Sequence, residues 1–351
     1  MDSLLLSRRA ICGGLAATAL VVPARALAPP PRFDSVVMRQ GGTHRSLASA
    51  LADAPPGDRR YRILLGRGRW REKLTVSRPN VEIVGADRRA SVITAAFASG
   101  HDKPGGGQWG TYGSATLTVE APGFTAHNLT IENGFDYVAN LRSRAVASAQ
   151  AVALALGNEA DRSLIDRVDL IGHQDTFYLR AGRALVRDCL VAGHVDFIFG
   201  GAAALFERCE IRTRLRPGEA LQGYVAAPST PRDQPVGLVF DRCRLTREAG
   251  VPDGSAWLGR PWRAGGNTAL VGAAAWLDCW MDAHIHPEGW TFMGYRGPGG
   301  YQMRFLPGDA RLYEYRSRGP GARLHPARRQ LTAAAAERHR AAPLAGGWVE
   351  S

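Results

Sequence analysis

The chain has 351 residues, of which 45% are hydrophobic and 22% charged, and these proportions exclude an intrinsically disordered protein. Its 41 glycines and 21 prolines indicate many turns, which favours numerous short strands over a few long helices. The formal net charge of +12 favours a polyanionic partner, but no dense Lys/Arg run or nucleic-acid motif is present, so nucleic acid is not the expected partner.

The first segment of the chain has the pattern of an export signal. Ser7-Arg8-Arg9 precedes an apolar run over residues 10–22, and small residues follow at Ala24 and Ala26. This order predicts a twin-arginine signal over residues 1–26, cleaved after Ala26. An uncleaved anchor is the less favoured alternative, because spanning a bilayer takes about 20 residues. We therefore expect an exported protein, periplasmic or secreted, that has no membrane attachment after cleavage and a charge of about +10 once the segment's +2 is removed.

The middle of the chain, residues 60–250, repeats one pattern of short β-prone runs. Each repeat has an apolar pair, a polar or charged pair, and a final Leu or Ile, as seen in residues 124–133, 163–173, 184–194, 204–213 and 237–246. Val168, Cys189 and Cys209 are 21 and 20 residues apart, and we interpret the 40 residues from Asn128 to Val168 as two coils. Periods of 20 to 25 residues without helical periodicity predict an all-β, single-domain parallel β-helix. A leucine-rich repeat is disfavoured, because its Leu-x-x-Leu-x-Leu spacing is absent.

Short helices are expected to cap the two ends of the coil, since an open end would expose unpaired strand edges. Residues 47–54 form a candidate helix near the N-terminus, and the Ala- and Arg-rich residues 326–340 form one near the C-terminus. These limits predict a β-helix domain over residues 33–325 and a partly helical tail over residues 326–351.

Two aspartates stand in matching surroundings one coil apart. The stretches GHQDTFYLR (172–180) and GHVDFIFGG (193–201) place Asp175 and Asp196 at an interval of 21 residues. Neighbouring rungs of a β-helix are about 4.8 Å apart, so both side chains are expected on one face. Close carboxylates do not readily ionise together, which yields one protonated acid and one ionised nucleophile. A lone aspartate at a strand end would more simply be a turn residue, but the pairing favours chemistry.

The cysteines follow the same repeat. Cys189 and Cys209 are predicted on adjacent rungs, within the roughly 4.4–6.8 Å Cα separation that a disulfide tolerates, and export would permit the bond. We expect this disulfide, with a ladder of free thiols as the alternative. Cys243 and Cys279 are 36 residues apart and their pairing stays open. No Cys-x-x-Cys pair or histidine cluster is present, so no metal site is expected.

Four motifs, in order and at similar spacing, resemble those of the pectin methylesterase family: 150–154 (QAVAL), 174–176 (QDT), 196–200 (DFIFG) and 258–262 (LGRPW). The resemblance extends over about residues 35–325 through the stretches 68–73, 111–116 and 313–322. It implies a right-handed parallel β-helix that removes methyl esters from galacturonate units of pectin and releases methanol. It implies neither a cofactor nor a metal.

The resemblance also implies a role for each matching residue. Asp196 is expected to be the nucleophile, and Asp175 the general acid that protonates methanol and then the base that activates water. Arg260 is expected to keep Asp196 ionised. Gln150 and Gln174 are expected to stabilise the oxyanion of the tetrahedral intermediate. For Gln150, a buried polar ladder inside the solenoid is the alternative.

Five further residues match substrate contacts of the family and are expected to line a carbohydrate cleft. Three are aromatic and offer flat apolar faces to sugar C–H groups; the set is Thr111, Tyr178, Phe199, Trp262 and Met293. Core packing is the alternative for Tyr178 and Phe199. The expected partner is methyl-esterified homogalacturonan, bound by a monomer.

The chain departs from the family pattern at two places. Ala155 stands where many members have an arginine, and residues 263–266 replace a stretch that often carries a hydroxyl. These departures leave the preferred methylation pattern open, and another methylated polyuronate is an alternative substrate. A polygalacturonase, a pectate lyase and a non-catalytic glycan-binding solenoid are the remaining rivals, although none of them needs this pair of aspartates with an arginine.

Overall fold

Residues 32–349, described here in a computed structural model, form a right-handed parallel β-helix of three sheets, which confirms the predicted fold class. The predicted signal segment and its cleavage site lie outside these residues. Within the described part of the chain, no helix is long and apolar enough to cross a membrane.

Each coil passes through sheets A, B and C in turn, and every strand pairs in parallel with its equivalents in the neighbouring coils. Sheet A has ten strands: Ser35–Val37, Tyr61–Leu65, Val81–Gly85, Thr125–His127, Ser163–Asp166, Arg183–Arg187, Ala203–Glu207, Leu238–Asp241, Ala273–Leu277 and Arg311–Tyr315. Sheet B has eight: Gly68–Arg71, Ser91–Ala95, Thr130–Asn133, Asp169–Ile171, Leu190–Gly193, Glu210–Thr213, Arg244–Arg247 and Trp280–Met281. Sheet C has seven: Leu74–Val76, Leu117–Val119, Leu154–Leu156, Phe177–Leu179, Val195–Gly200, Gly223–Pro228 and Ala256–Gly259.

The helices are short and lie near the N-terminal end of the coil, in its loops or against the outer face of sheet A. The α-helices are Leu47–Ala52, Gly110–Gly113, Tyr137–Ser143 and Ala333–Ala341, and the 3₁₀ turns are Ala264–Gly266, Pro298–Gly300, Pro307–Asp309 and Ala342–Leu344. An antiparallel hairpin pairs Met293–Arg296 with Gln302–Phe305. Leu47 and Ala50 of the first helix are fully buried in the core. The last helix places Ala336 against Val239 and Leu277, on the outer face of sheet A.

The corner between sheets A and B explains the polar pair of each repeat. One residue there adopts a left-handed conformation with φ of 51–54° in successive coils: Asn128, Arg167, Asp188, Arg208, Arg242, Asp278 and Arg316. Such a residue turns the chain sharply from one strand to the next. The interpretation of the 40 residues from Asn128 to Val168 as two coils was wrong, however. The strand Thr125–His127 pairs directly with Ser163–Asp166, so this interval is one enlarged coil and not two.

Aromatic side chains stack inside the coil, where successive rungs bring equivalent positions together. Phe206, Phe240 and Trp276 are directly paired in sheet A and fully buried. The Phe206 and Phe240 ring centroids are 4.7 Å apart, and those of Phe240 and Trp276 are 3.8 Å apart. Each ring contributes about 1.5–3 kcal/mol through burial, so the stack makes a firm support for the sheets.

The cysteines form a ladder of buried free thiols, and the predicted disulfide between Cys189 and Cys209 is absent. Phe240 pairs with Trp276 in sheet A, and Cys243 and Cys279 each follow one of these residues by three positions. These two cysteines therefore continue the ladder. Each thiol instead points at a backbone carbonyl: Cys189 Sγ is 3.4 Å from the oxygen of Ile165, for example. The ladder therefore packs as small apolar side chains do.

Candidate active site

A cavity of about 540 Å³ opens on the outer face of sheet C. Its wall brings together all ten residues singled out from the sequence: Thr111, Gln150, Gln174, Asp175, Tyr178, Asp196, Phe199, Arg260, Trp262 and Met293. They come from segments spread over more than 180 positions of the chain, so it is the stacking of successive coils that brings them together. The same wall contains Tyr112, Arg180 and Ala227, which the sequence did not suggest.

The two aspartates occupy equivalent positions on adjacent rungs. Phe177 pairs with Ile198, so Asp175 and Asp196 each precede a paired residue by two positions. The backbone N–H of Asp175 donates to the carbonyl of Val195 at 3.0 Å, which joins the two rungs at this point. Both aspartates have left-handed backbone conformations, with φ of 64° and 51°. Such strained conformations cluster at functional sites.

Arg260 binds one of the two carboxylates, that of Asp196. Its Nε and Nη2 donate to the two carboxylate oxygens at 2.9 and 2.6 Å, a bidentate geometry. The Asp196 side chain is only 13% exposed and that of Arg260 22% exposed, so water screens the pair weakly. The guanidinium also packs on the ring of Tyr224, with Arg260 Cζ 3.7 Å from the ring centroid.

The pKa of Asp175 is raised well above its ordinary value of 3.8. Burial is the main cause, the neighbouring charge of Asp196 adds to it, and Arg260 opposes it. Burial also tends to lower the pKa of Arg260, but the bonds to Asp196 outweigh that effect and raise it. The raised pKa favours the protonated form of Asp175, beside the ion pair of Asp196 and Arg260.

Gln150 and Gln174 lie on neighbouring rungs at the edge of the cavity. The N–H of Ala151 donates to the backbone carbonyl of Gln174 at 3.1 Å, which fixes the two residues relative to each other. The side-chain oxygen of Gln150 is buried and has no hydrogen-bond partner among residues 32–349. Buried polar groups are normally bonded, so this unpartnered acceptor at the cavity wall is suited to a hydrogen-bond donor of a ligand.

An aromatic wall faces the aspartates. Tyr178 and Phe199 are paired across adjacent strands and stack with ring centroids 4.3 Å apart. Trp262 approaches Phe199 at 5.8 Å. Met293 packs against the same cluster from the hairpin, while Thr111 comes from the single-turn helix Gly110–Gly113. The wall offers a sugar ring a flat apolar surface.

The additional lining residues arise from neighbours of predicted ones. Tyr112 follows Thr111, and its ring meets that of Tyr178 edge-on at 5.7 Å. Arg180 lies two positions beyond Tyr178, so the strand period of two already predicts a side chain on the same face. Ala227 pairs with Phe199 in sheet C.

The chemistry that these groups can perform is acyl transfer. A carboxylate paired with an arginine, a second carboxyl group with a raised pKa, two amide side chains and an apolar wall are the components needed to attack an ester and protonate its leaving group. No group of three His, Cys, Asp or Glu side chains suited to a metal ion occurs among residues 32–349.

Known proteins resemble this chain over nearly its whole length. The profile of the pectinesterase family matches residues 34–330. Pectinesterase A of Dickeya dadantii (strain 3937) is 37% identical over 337 residues, covering 90% of this chain and 92% of that protein. Among solved structures, pectin methylesterase PemA from Erwinia chrysanthemi has a TM-score of 0.87 at 37% identity, covering 92% and 99% of the two chains. Pectin methylesterase from carrot has a TM-score of 0.74 at 27% identity, covering 92% and 96%.

Proposed function

The chain belongs to the pectinesterase family, and from that premise we propose that it demethylates galacturonate units of pectin through a covalent intermediate on Asp196. The observation that carries this proposal is that two aspartates at equivalent positions have different surroundings. Arg260 binds Asp196 with both guanidinium donors, whereas Asp175 is buried and its pKa is raised.

In the first half-reaction, an oxygen of the Asp196 carboxylate attacks the carbonyl carbon of the methyl ester. A tetrahedral intermediate forms and then collapses, which breaks the bond between the carbonyl carbon and the methoxy oxygen. Asp175 transfers its proton to that oxygen, so methanol leaves and the galacturonate is held as a mixed anhydride. The raised pKa of Asp175 supports this role, because the residue must be protonated near neutral pH.

In the second half-reaction, water replaces methanol beside Asp175. The carboxylate of Asp175 takes a proton from this water as its oxygen attacks the galacturonyl carbonyl carbon. Cleavage of the anhydride releases galacturonic acid, which loses its proton to the solvent, and regenerates the Asp196 carboxylate, while Asp175 keeps the proton taken from water. Atoms and charges balance over the cycle without any cofactor.

The remaining residues of the cavity would stabilise and hold the substrate. We propose that Gln150 and Gln174 donate to the oxyanion of both tetrahedral intermediates, a contribution of about 3 kcal/mol per donor. Tyr178, Phe199 and Trp262 would contact the sugar rings. The bound substrate is proposed to be methyl-esterified homogalacturonan, as expected from the family and from an apolar wall beside hydrogen-bonding groups.

Methanol release and chain length together test this function. The purified protein is incubated with highly methylated polygalacturonate, and both quantities are followed over a broad pH range. We expect methanol without chain shortening, which separates an esterase from a polygalacturonase or a lyase. No methanol at any pH would reject the esterase.

Substitution of the nucleophile tests the mechanism separately. Asp196→Asn keeps the size of the side chain but removes its charge, and we expect methanol release to fall to background while the far-UV circular dichroism spectrum is unchanged. Mass spectrometry of wild-type protein quenched in acid during turnover should detect a galacturonyl adduct on Asp196. Release by the variant at the wild-type rate would rule out Asp196 as the nucleophile.

A further inference from the structure

The stretches GHQD (172–175) and GHVD (193–196) each place a histidine two positions before an aspartate, and the proposed reaction uses only the aspartates. Ile171 pairs with Ala192, and each histidine follows one of these residues by two positions. The ring centroids of His173 and His194 are 5.2 Å apart, and the backbone N–H of His194 donates to the carbonyl of His173 at 3.0 Å. The repeat therefore stacks two imidazoles at the corner between sheets B and C.

Both imidazoles have a buried ring nitrogen without a partner. His194 is fully buried, and its Nδ1 accepts a hydrogen bond from the backbone N–H of Val195 at 2.8 Å, so the proton of the neutral ring is on Nε2. This Nε2 and the Nδ1 of His173 have no hydrogen-bond partner within the part of the chain that the structure describes. A protonated His194 ring would point one donor at the N–H of Val195 and the other at no acceptor. The site therefore favours neutral rings.

Tyr137 covers both rings from the enlarged coil. Its ring centroid is 4.3 Å from that of His194 and 5.3 Å from that of His173. Arg216 donates from Nε to the Tyr137 hydroxyl at 3.3 Å. Tyr137 is the one buried residue of the helix Tyr137–Ser143, so its contact with the imidazoles anchors that helix to the coil.

Two arginines face the histidines from the following segment. Arg214 lies on the next rung, and its Nη1 donates to the carbonyl of Gly172 at 2.8 Å. Arg214 is paired with Glu248 at 3.0 Å, and Arg216 is paired with Glu219 at 3.9 Å. A proton taken up by either imidazole would add a positive charge beside these two guanidinium groups.

The pKa values of both histidines are lowered. Burial is the main cause for His173, whose pKa falls to about 3; Arg214 adds to this effect and Asp136 opposes it. Burial also lowers the pKa of His194 well below 6.5, and the remaining causes, all in the same direction, are His173, Arg216 and Arg214. In the open form of such a segment the rings would be in water and would titrate near their ordinary pKa of 6.5.

We propose that Tyr137, His173 and His194 form a latch that holds residues 134–149 closed at neutral pH and releases them reversibly in acid. Gln150 directly follows this segment and Gln174 directly follows His173, so release would also disturb the two amides of the cavity. The opening itself is independent of the proposed function, and only its effect on turnover rests on that function.

The direction of the pH effect follows from proton linkage. The open segment binds protons more readily than the closed one, so the closed form keeps its full stability above pH 6.5 and loses it as the pH falls towards about 3. Each histidine favours opening by about tenfold per pH unit in this range. Between pH 7 and pH 4.5, opening should therefore increase about 10²-fold for one histidine and up to about 10⁴-fold for both.

Hydrogen–deuterium exchange of the wild-type protein measures this opening. Mass spectrometry follows peptides from residues 134–149 and, as an internal reference, from the strand Ala203–Glu207, with rates corrected for the intrinsic pH dependence of amide exchange. We expect the protection of residues 134–149 to fall by about 10²–10⁴ at pH 4.5 and to return at pH 7, while the strand stays protected. Equal protection of the segment at both pH values, or simultaneous loss in the strand, would overturn the latch.

Histidine variants identify the groups that respond to acid. His173→Asn and His194→Asn each remove one titrating ring, and asparagine is uncharged at every pH. His339→Asn makes the same change in the helix Ala333–Ala341 as the control. Each of the first two variants should show about half of the wild-type pH response on a logarithmic scale, and the control should match wild type. A full response in both His173→Asn and His194→Asn would also overturn the latch.

Methanol release tests the effect on turnover. The kcat of wild type should fall over the same pH range as the protection of residues 134–149 and recover on return to pH 7, with a smaller fall in His173→Asn and His194→Asn. A kcat that stays constant while the segment opens would reject the link to the two amides. Because exchange needs no turnover, it decides the latch even if no methanol is released, which is the separate failure of the proposed function.

Discussion

Replacing Asp175 by asparagine should make the protein more stable and inactive. Asparagine has nearly the same size but cannot donate a proton to methanol, so we expect methanol release to be lost. The stability gain follows from the raised pKa of Asp175, which burial beside Asp196 causes. The folded protein keeps this group protonated over a pH range in which the unfolded chain ionises it.

The sign and size of the effect follow from proton linkage. Between the ordinary pKa of 3.8 and the raised pKa of the folded state, unfolding releases a proton, so the wild type loses stability as pH rises. The loss is about 1.4 kcal/mol per pH unit for one group. Asparagine has no such proton. The free energy of unfolding of Asp175→Asn should therefore exceed that of wild type by an amount that grows from near zero at pH 4 to at most about 4 kcal/mol at pH 7.

Urea unfolding at several pH values between 4 and 7 measures this difference. Asp233→Asn is the matched control, because it makes the same chemical change at an exposed position of the fold. We expect the control's difference from wild type to be independent of pH. If the Asp175→Asn difference were also flat across this range, Asp175 would be ionised in the folded protein and could not act as the proposed acid.

Three further outcomes are expected. Arg260→Gln removes the two charge-assisted bonds that orient the Asp196 carboxylate and favour its charge, so kcat for methanol release should fall by about 10²–10³, which corresponds to about 3–4 kcal/mol of barrier, with the folded spectrum unchanged. A loss below tenfold would contradict the role of the pair. Phe240→Ala opens a cavity between the rings of Phe206 and Trp276 and should lower the free energy of unfolding, measured by urea titration, by about 3–5 kcal/mol. A decrease below about 1 kcal/mol would show that the two remaining rings close the cavity. Dithiothreitol should leave the thermal midpoint unchanged because the described cysteines are free thiols, and a clear decrease on reduction would contradict that state.

The coil could be predicted where its period is regular and not where a loop interrupts it. Residues 163–213 repeat every 20 to 21 positions, and their strands pair as that interval requires. The preceding coil was misread because residues 134–153, including the helix Tyr137–Ser143, enlarge it to nearly twice the usual length. Periodicity alone cannot distinguish one long coil from two short ones.

The residues of the site could be predicted where their type alone points to chemistry. Asp175, Asp196 and Arg260 carry charges that few structural roles require together, so their motifs were informative. Arg180 was missed although it lies two positions beyond Tyr178, on the same face of the strand, because it stands outside the four motifs. The disulfide prediction failed although adjacency was predicted, because the neighbouring thiols remain free and lie close to backbone carbonyl groups.

The order of the coils along the solenoid axis determines which aspartate Arg260 binds. Asp175 and Asp196 have the same position in their coils, so nothing within one coil distinguishes them. The cation comes from a later coil. Arg260 directly follows the strand Ala256–Gly259 and bonds the carboxylate of Asp196. The earlier coil presents the uncharged Gln150 on the other side. Because Asp175 is buried beside Asp196 and Arg260 bonds only Asp196, the pKa of Asp175 is raised, and the order of the rungs thereby separates the proposed acid from the proposed nucleophile.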